Sequence, residues 1–174
     1  MSETSKVRHL FSHLFTEEMK VIDIGFGGDK VVPYAHGADL PIPYTSVGPS
    51  PVDIACNVKE GLPVKDNIYD IVYSSHLLED FVDTKKILTE FIRVLKKDGI
   101  LITVIPNEQK YIEHCIETAG GYYNTHHQIP EMGMDYLKEK LDELDAWEYL
   151  VESDCVVDYN VVLAVKRKDN SVVK

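Results

Sequence analysis

The chain has 174 residues, 44% apolar and 27% charged, with 18 basic against 29 acidic side chains and a formal net charge of −11. That length predicts one domain, residues 1–174, with enough chain to bury a real core. The acidic balance argues against nonspecific nucleic-acid binding, which needs a basic face to neutralise phosphates. The basic clusters, Lys96-Lys97 and Lys166-Arg167-Lys168, fall at element ends and read as solvated. No signal peptide is visible and no apolar run approaches the ~18 residues of a membrane span, so a cytoplasmic protein away from membranes is expected. Cys56, Cys115 and Cys155 form no C-x-x-C, which indicates neither a zinc knuckle nor a disulfide framework; no metal is expected.

Residues 1–18 predict a short amphipathic helical lead-in, with Val7, Leu10, Phe11, Leu14 and Phe15 at helical spacing. His9 and His13, four apart without a third ligand, read as solvated. Strands follow at Lys20–Ile24, at Ala35–Asp39 (by position more than by propensity) and at Val52–Cys56. Two more, Tyr69–Ser74 and Ile100–Ile105, are continuous β-rich runs of the kind buried on both faces of a parallel sheet. Between these two lies a helix over about Asp83–Lys97, with Asp83 or Thr84 as N-cap and Gly99 as its stop. Helices are predicted over about Glu108–Ala119 and Met134–Asp145, then strands over Trp147–Glu152 and Tyr159–Arg167. Seven strands alternating with helices imply an α/β fold with a doubly wound, mostly parallel sheet.

The first strand runs into Val21-Ile22-Asp23-Ile24-Gly25-Phe26-Gly27-Gly28-Asp29, a buried strand breaking into a glycine turn. Glycines are needed there because the backbone takes φ > 0 or lies against a ligand with no Cβ in the way. Counting from Gly25, the sixth residue is Lys30, so the dinucleotide fingerprint G-x-G-x-x-G fails. A reductase or other dinucleotide enzyme is therefore disfavoured.

This run resembles the hydrophobic-Asp-hydrophobic-Gly-x-Gly signature of S-adenosylmethionine (SAM)-dependent methyltransferases. Further segments match that family in order. Gly61–Val72 is similar to its "LPF-x-D-N-S-F-D-x-V" approach to the fourth strand, Tyr73–Phe81 to "SSHVLEH", and Glu90–Leu101 to "E-x-x-RVLKPGG-x-L". His126-His127 is similar to the histidine segment ahead of the last helix. The likeness covers roughly residues 20–167 and points to the type 11 and glycan-associated small-molecule branch. It implies the Rossmann-like methyltransferase fold with an antiparallel C-terminal strand, and SAM as cofactor. Three departures stand out: Asp29 where a third glycine is common, Pro33 cutting short the helix after the first strand, and Asn57 where the family usually has a carboxylate.

The resemblance assigns SAM's amino acid end to Asp23, Gly25, Phe26 and Gly27. Asp39 is expected to take the ribose diol, Asn57 the adenine, and Cys56 and Val58 its apolar walls. Ser74 and Ser75 complete the cofactor set. The sulfonium already activates the methyl group, so catalysis is mainly positioning plus removal of an acceptor proton where needed. His76, His126 and His127 are the candidate bases. The paired glycines, tyrosines and histidines of Gly120–Met132 suggest a mobile acceptor lid. Ser74-Ser75-His76-Leu77 is not the (Asp/Asn/Ser)-Pro-Pro-aromatic tetrapeptide of adenine amino-methyltransferases, which with the acidic charge argues against DNA methylation. The expected function is methyl transfer to an oxygen or nitrogen of a small molecule or sugar, in a monomer or a homodimer. The alternative is a SAM-binding or S-adenosylhomocysteine-binding domain without turnover, acting as a regulatory or assembly partner.

Overall fold

The computed structural model describes residues 2–43 and 47–168. Seven strands form one sheet: β1 (Val21–Ile24), β2 (His36–Asp39), β3 (Ile54–Ala55), β4 (Tyr69–Ser75), β5 (Leu95–Pro106), β6 (Trp147–Val157) and β7 (Asn160–Arg167). Their order is β3-β2-β1-β4-β5-β7-β6, and β7 runs antiparallel to both of its neighbours. The helices are α1 (Glu3–Val7), α2 (Thr84–Val94), α3 (Glu108–Thr118) and α4 (Met134–Asp142). The expected doubly wound, mostly parallel sheet with an antiparallel strand near its C-terminus is what the chain forms.

One face of the sheet is covered by α2 and α4. Ile87, Leu88 and Phe91 of α2 and Leu137 and Leu141 of α4 pack on Ile22, Val72, Leu101 and Leu163. The other face has no helix from the β1–β2 connection, where Pro33 forbids one. There Val7 and Phe11 of the N-terminal segment, with Val31 and Ala35 of the connection, close over Ile71, Tyr73, Ile102 and Val162. The lead-in is thus one short helix followed by two single 3-10 turns, Arg8–Leu10 and Ser12–Leu14, wrapped on the sheet.

Helix α2 starts where expected, with the Asp83 carboxylate accepting the N–H of Lys86, but ends at Val94 rather than near Gly99. A residue far along the chain sets this end. The guanidinium of Arg167 donates to the carbonyls of Ile92 and Leu95 at 3.3 and 3.2 Å and pairs with Asp145 at 2.6 Å. Arg167 is therefore a structural cap and not a solvated charge. Leu95 then enters β5 opposite Tyr69, and a register shift precedes the pairing of Ile100 with Ile71.

Asp23 in β1 is 1% exposed, and its Oδ2 accepts the N–H of Val31 at 2.6 Å, which holds the helix-free connection against the strand. Its other oxygen has no hydrogen-bond partner among the described residues. Burial, opposed by that one hydrogen bond, pushes its pKa up to about 8.

Two measurements test this account. Phe11 is fully buried, so Phe11→Ala is expected to cost ~3–5 kcal/mol, read as a lower urea midpoint; a change below ~1 kcal/mol would mean that the N-terminal segment is no part of the core. The second concerns pH. Unfolded Asp23 ionises at its ordinary value, near 3.8, and folded Asp23 at about 8. The folded state therefore loses about 1.4 kcal/mol of stability per pH unit as pH rises through that window, and no more above it. Asp23→Asn keeps an acceptor for Val31 and abolishes the titration, so its advantage over the parent should grow from pH 4 to 8. An advantage that does not vary with pH would show that Asp23 ionises normally.

Candidate functional site

At the C-terminal ends of β1, β2 and β3 the structure opens a cavity of about 770 Å³, within the ~300–1,000 Å³ usual for small-molecule sites. Three sequence segments meet there: Ile24 and Gly25, Ala38 to Leu40, and Cys56 to Lys59. Leu77, Asp80 to Asp83 and the first turn of α2 form the facing side. His126 and Gln128 supply the remaining wall. Placement at the C-terminal strand ends follows the rule for open, mostly parallel sheets, whose ligands bind in the crevice outside those ends.

Of the residues expected to hold a cofactor, Gly25, Asp39, Cys56, Asn57 and Val58 line this cavity. Gly25 has φ of 72°, and a Cβ on it would lie 2.9 Å from the Leu77 methyls. Asp39 turns inward over the glycine turn: Oδ2 accepts the N–H of Gly27 at 3.0 Å, and Oδ1 accepts that of Leu40 at 2.8 Å. Each oxygen keeps a second lone pair, so two further donors can be received. Asn57 lines the cavity but its amide is used locally. Its Oδ1 accepts the N–H of Lys59 at 3.1 Å and its Nδ2 donates to Glu60 at 3.2 Å. It caps the turn Val58–Glu60.

The other expected cofactor residues lie off the cavity. Asp23 is buried against the connection. Phe26 is 6% exposed, and its ring fills the space a Cβ on Gly37 would need. Gly27 is buried, with its carbonyl taking the N–H of Val47 at 2.8 Å, while the carbonyl of Gly28 takes that of Ser50 at 3.0 Å. Ser74 is 1% exposed on β4 and Ser75 half-buried beside it. The glycine turn thus supports the cavity from behind, with Gly25 as its exposed contact.

The three histidines part company. His126 lines the cavity and is exposed. His127 points the opposite way, with a 6% exposed side chain whose Nδ1 lies 2.7 Å from Oε2 of Glu108 and whose ring rests on Tyr111. His76 sits just past β4 in the left-handed region, φ 50°, its N–H donated to the carbonyl of Val104. Its ring leaves the cavity, with Nε2 2.7 Å from Oδ1 of Asn160 and Nδ1 3.4 Å from Glu79. Burial lowers its pKa.

The segment read as a mobile lid has two unlike halves. Tyr122 and Tyr123 are exposed, whereas Ile129 and Met132 are buried in the main core and the N–H of Gln128 bonds the carbonyl of Glu79 at 2.7 Å. The second half is fastened by that bond and by His127. No local pattern marks Leu77, Asp80 or Gln128 as wall residues beyond the matched segment that holds the first two and the Gly120–Met132 loop that holds the third. Among the described residues no cluster of three or more His, Cys, Asp or Glu could hold a metal, and no helix is long and apolar enough to cross a membrane.

Comparison with known proteins agrees with this architecture. A family model described as "Methyltransferase domain" matches residues 22–103, from β1 through most of β5. No curated protein sequence matches the chain. Many solved structures share the fold. A SAM-dependent methyltransferase from Archaeoglobus fulgidus superposes with a TM-score of 0.67 at 16% identity, covering 95% of each chain. A Thermotoga maritima SAM-dependent methyltransferase, described as a possible histamine N-methyltransferase, gives 0.66 at 16% identity over 95% of this chain and 89% of that one. A chain from a Haloferax volcanii complex containing the Trm112 methyltransferase activator gives 0.67 at 15%, over 94% and 89%. The chain therefore shares the fold of solved SAM-dependent methyltransferases, and its residues 22–103, which include the glycine turn, are similar to the methyltransferase-domain family.

Proposed function

We propose that the cavity holds SAM and admits a small molecule or sugar, whose oxygen or nitrogen receives the methyl group. The observation that carries this reading is the meeting of Gly25, Asp39 and Cys56–Val58 around one space of suitable size. Those residues fit the cofactor. Asp39 retains two acceptor positions for a diol, Cys56 and Val58 give apolar walls for a flat base, and Gly25 leaves room for close backbone approach. Asn57 fits least well, since its amide is committed to a cap; base recognition there falls to backbone groups of residues 56–59. Bound SAM supplies a methyl group already activated by its sulfonium, so the chain has mainly to orient the acceptor and exclude water. His126 is the one histidine of the three with access to an acceptor proton.

A second reading, a SAM-binding domain without turnover, is favoured by one observation: His76 and His127 both face the interior. A methyl-transfer screen with labelled SAM separates the two. Transfer to any small acceptor supports the first, and SAM binding with no transfer across the screen supports the second.

Two further outcomes are expected. Asp39→Asn keeps an acceptor for Gly27 but loses the charge, so S-adenosylhomocysteine should bind about ten- to a hundredfold more weakly by calorimetry, equivalent to ~1.5–3 kcal/mol. Affinity within twofold of the parent would move the ribose elsewhere. His126→Ala should leave the urea midpoint within ~0.5 kcal/mol of the parent and reduce transfer. His127→Ala should cost ~1–3 kcal/mol, because it leaves buried Glu108 without its partner. Equal effects of the two would contradict the opposed orientations.

A further inference from the structure

Behind the wall formed by His126 and Gln128 lies a buried acid–imidazole cluster that cofactor binding does not use. Glu79, in the turn Leu78–Asp80, is 1% exposed, and among the described residues no other residue donates a hydrogen bond to either carboxyl oxygen. Its Oε1 is 3.4 Å from Nδ1 of His76 and 3.9 Å from Nε2 of His127. An ionised carboxylate so deeply buried would be costly. A group kept there through folding needs another protonation state or another purpose.

The surrounding hydrogen bonds settle where protons sit. Nδ2 of Asn160 donates to Oε2 of Glu3 at 2.9 Å and to the carbonyl of Val157 at 3.3 Å, both pure acceptors. The amide orientation is thereby fixed, and its Oδ1 faces His76. Nε2 of His76 must then carry a hydrogen to donate across 2.7 Å. In the neutral ring Nδ1 is left as an acceptor, aimed at Glu79. Nδ1 of His127 lies 2.7 Å from Oε2 of Glu108, and a neutral ring that donates there presents the lone pair of Nε2 toward Glu79. The lone pair of His76 Nδ1 therefore faces the Glu79 carboxyl group.

We propose that Glu79 is a positioning residue that works as a neutral carboxylic acid, its proton directed at Nδ1 of His76, and so holds the His126–Gln128 wall in place. The proposal rests on the reading of that wall as the acceptor side. The competing arrangement moves the same proton onto His76, giving an imidazolium and a carboxylate. Charges facing the pair come from several elements: Asp80 on the same turn, Glu108 on α3 and His127 on the loop, with Glu3 and Lys6 behind Asn160. Burial disfavours a carboxylate at Glu79, and Asp80 and Glu108 add to it, which together outweigh the residue's own backbone N–H. Burial also lowers His76, which outweighs the attraction of Glu3. The neutral pair is the state consistent with all of these. The main chain completes the linkage, since the carbonyl of Glu79 receives the N–H of Gln128.

The test is nuclear magnetic resonance on the full chain at pH 7. Long-range proton–nitrogen spectra read which ring nitrogen of His76 carries hydrogen, and carboxyl carbon shifts read the protonation of Glu79. The expected result is a neutral His76 with hydrogen on Nε2 and a protonated Glu79. An imidazolium at His76 or an ionised Glu79 overturns the proposal. Glu79→Gln, a neutral donor of the same shape, should preserve the His76 tautomer and keep amide exchange at 126–128 within about twofold, whereas Glu79→Ala should speed it about tenfold or more. Unchanged exchange in Glu79→Ala, or failure of glutamine to rescue, also overturns it. Binding of S-adenosylhomocysteine to the parent is measured separately. Its absence would sink the cofactor reading and leave the protonation result standing.

Discussion

A parallel sheet buries both faces, and here one connection cannot supply its share. Between β1 and β2 only eleven residues, 25 to 35, are available, and Pro33 stands among them. No helix forms, so the face over Ile71, Tyr73 and Ile102 must be covered from elsewhere. The N-terminal segment does this with Val7 and Phe11. Much follows from that substitution. Running over the sheet brings Glu3 to Asn160 and Tyr159 on β7 and the turn before it, and places Arg8 beside Asp29 and the carbonyl of Lys30. The N-terminus is thus joined to the polar cluster around His76 and to the connection that replaces the missing helix.

The glycine turn is built in the same economy. Without a following helix to fix it, the turn is held by side chains and by a neighbouring loop. Asp23 grips the connection at Val31, Asp39 grips Gly27, and the carbonyls of Gly27 and Gly28 are taken by Val47 and Ser50. Gly28 and Gly48 pass so closely that a Cβ on either would strike the other's main chain. Asp39 consequently has two tasks, one oxygen face toward the turn and its remaining lone pairs toward the cavity.

Local patterns made most of the sheet legible. Tyr69–Ser74 and Ile100–Ile105 are long β-rich runs and need no tertiary information. Asp83 was readable as an N-cap, because that signal lies within three residues of the donor it satisfies. The end of α2 was not, because Arg167 caps it from more than seventy residues away. Asn57 shows the limit differently: its role as a turn cap was as visible as its match to a base-binding position, and the structure shows the cap. The histidines illustrate what a motif leaves out. The two histidines are adjacent in sequence, yet His127 is held against Glu108 and Tyr111 while His126 lines the cavity, a division set by partners on α3 that no local pattern shows.

The placement of titratable groups suits the proposed reaction. A sulfonium-activated methyl group needs an aligned acceptor more than it needs a strong base, and the cavity presents His126 and Gln128 on an otherwise mixed wall. The other ionisable groups nearby are turned inward and spent on geometry. His127 anchors the loop to α3, and His76, held left-handed at the end of β4, locks β4 to β7 through Asn160. A backbone conformation that costs of order 1–3 kcal/mol persists only where its surroundings over-determine it, and His76 is fixed by three partners: the carbonyl of Val104, Asn160 and Glu79. Leu77 follows directly and lies against Gly25. The strain at His76 therefore has a structural consequence at the cavity, because it sets where Leu77 lies against the glycine turn.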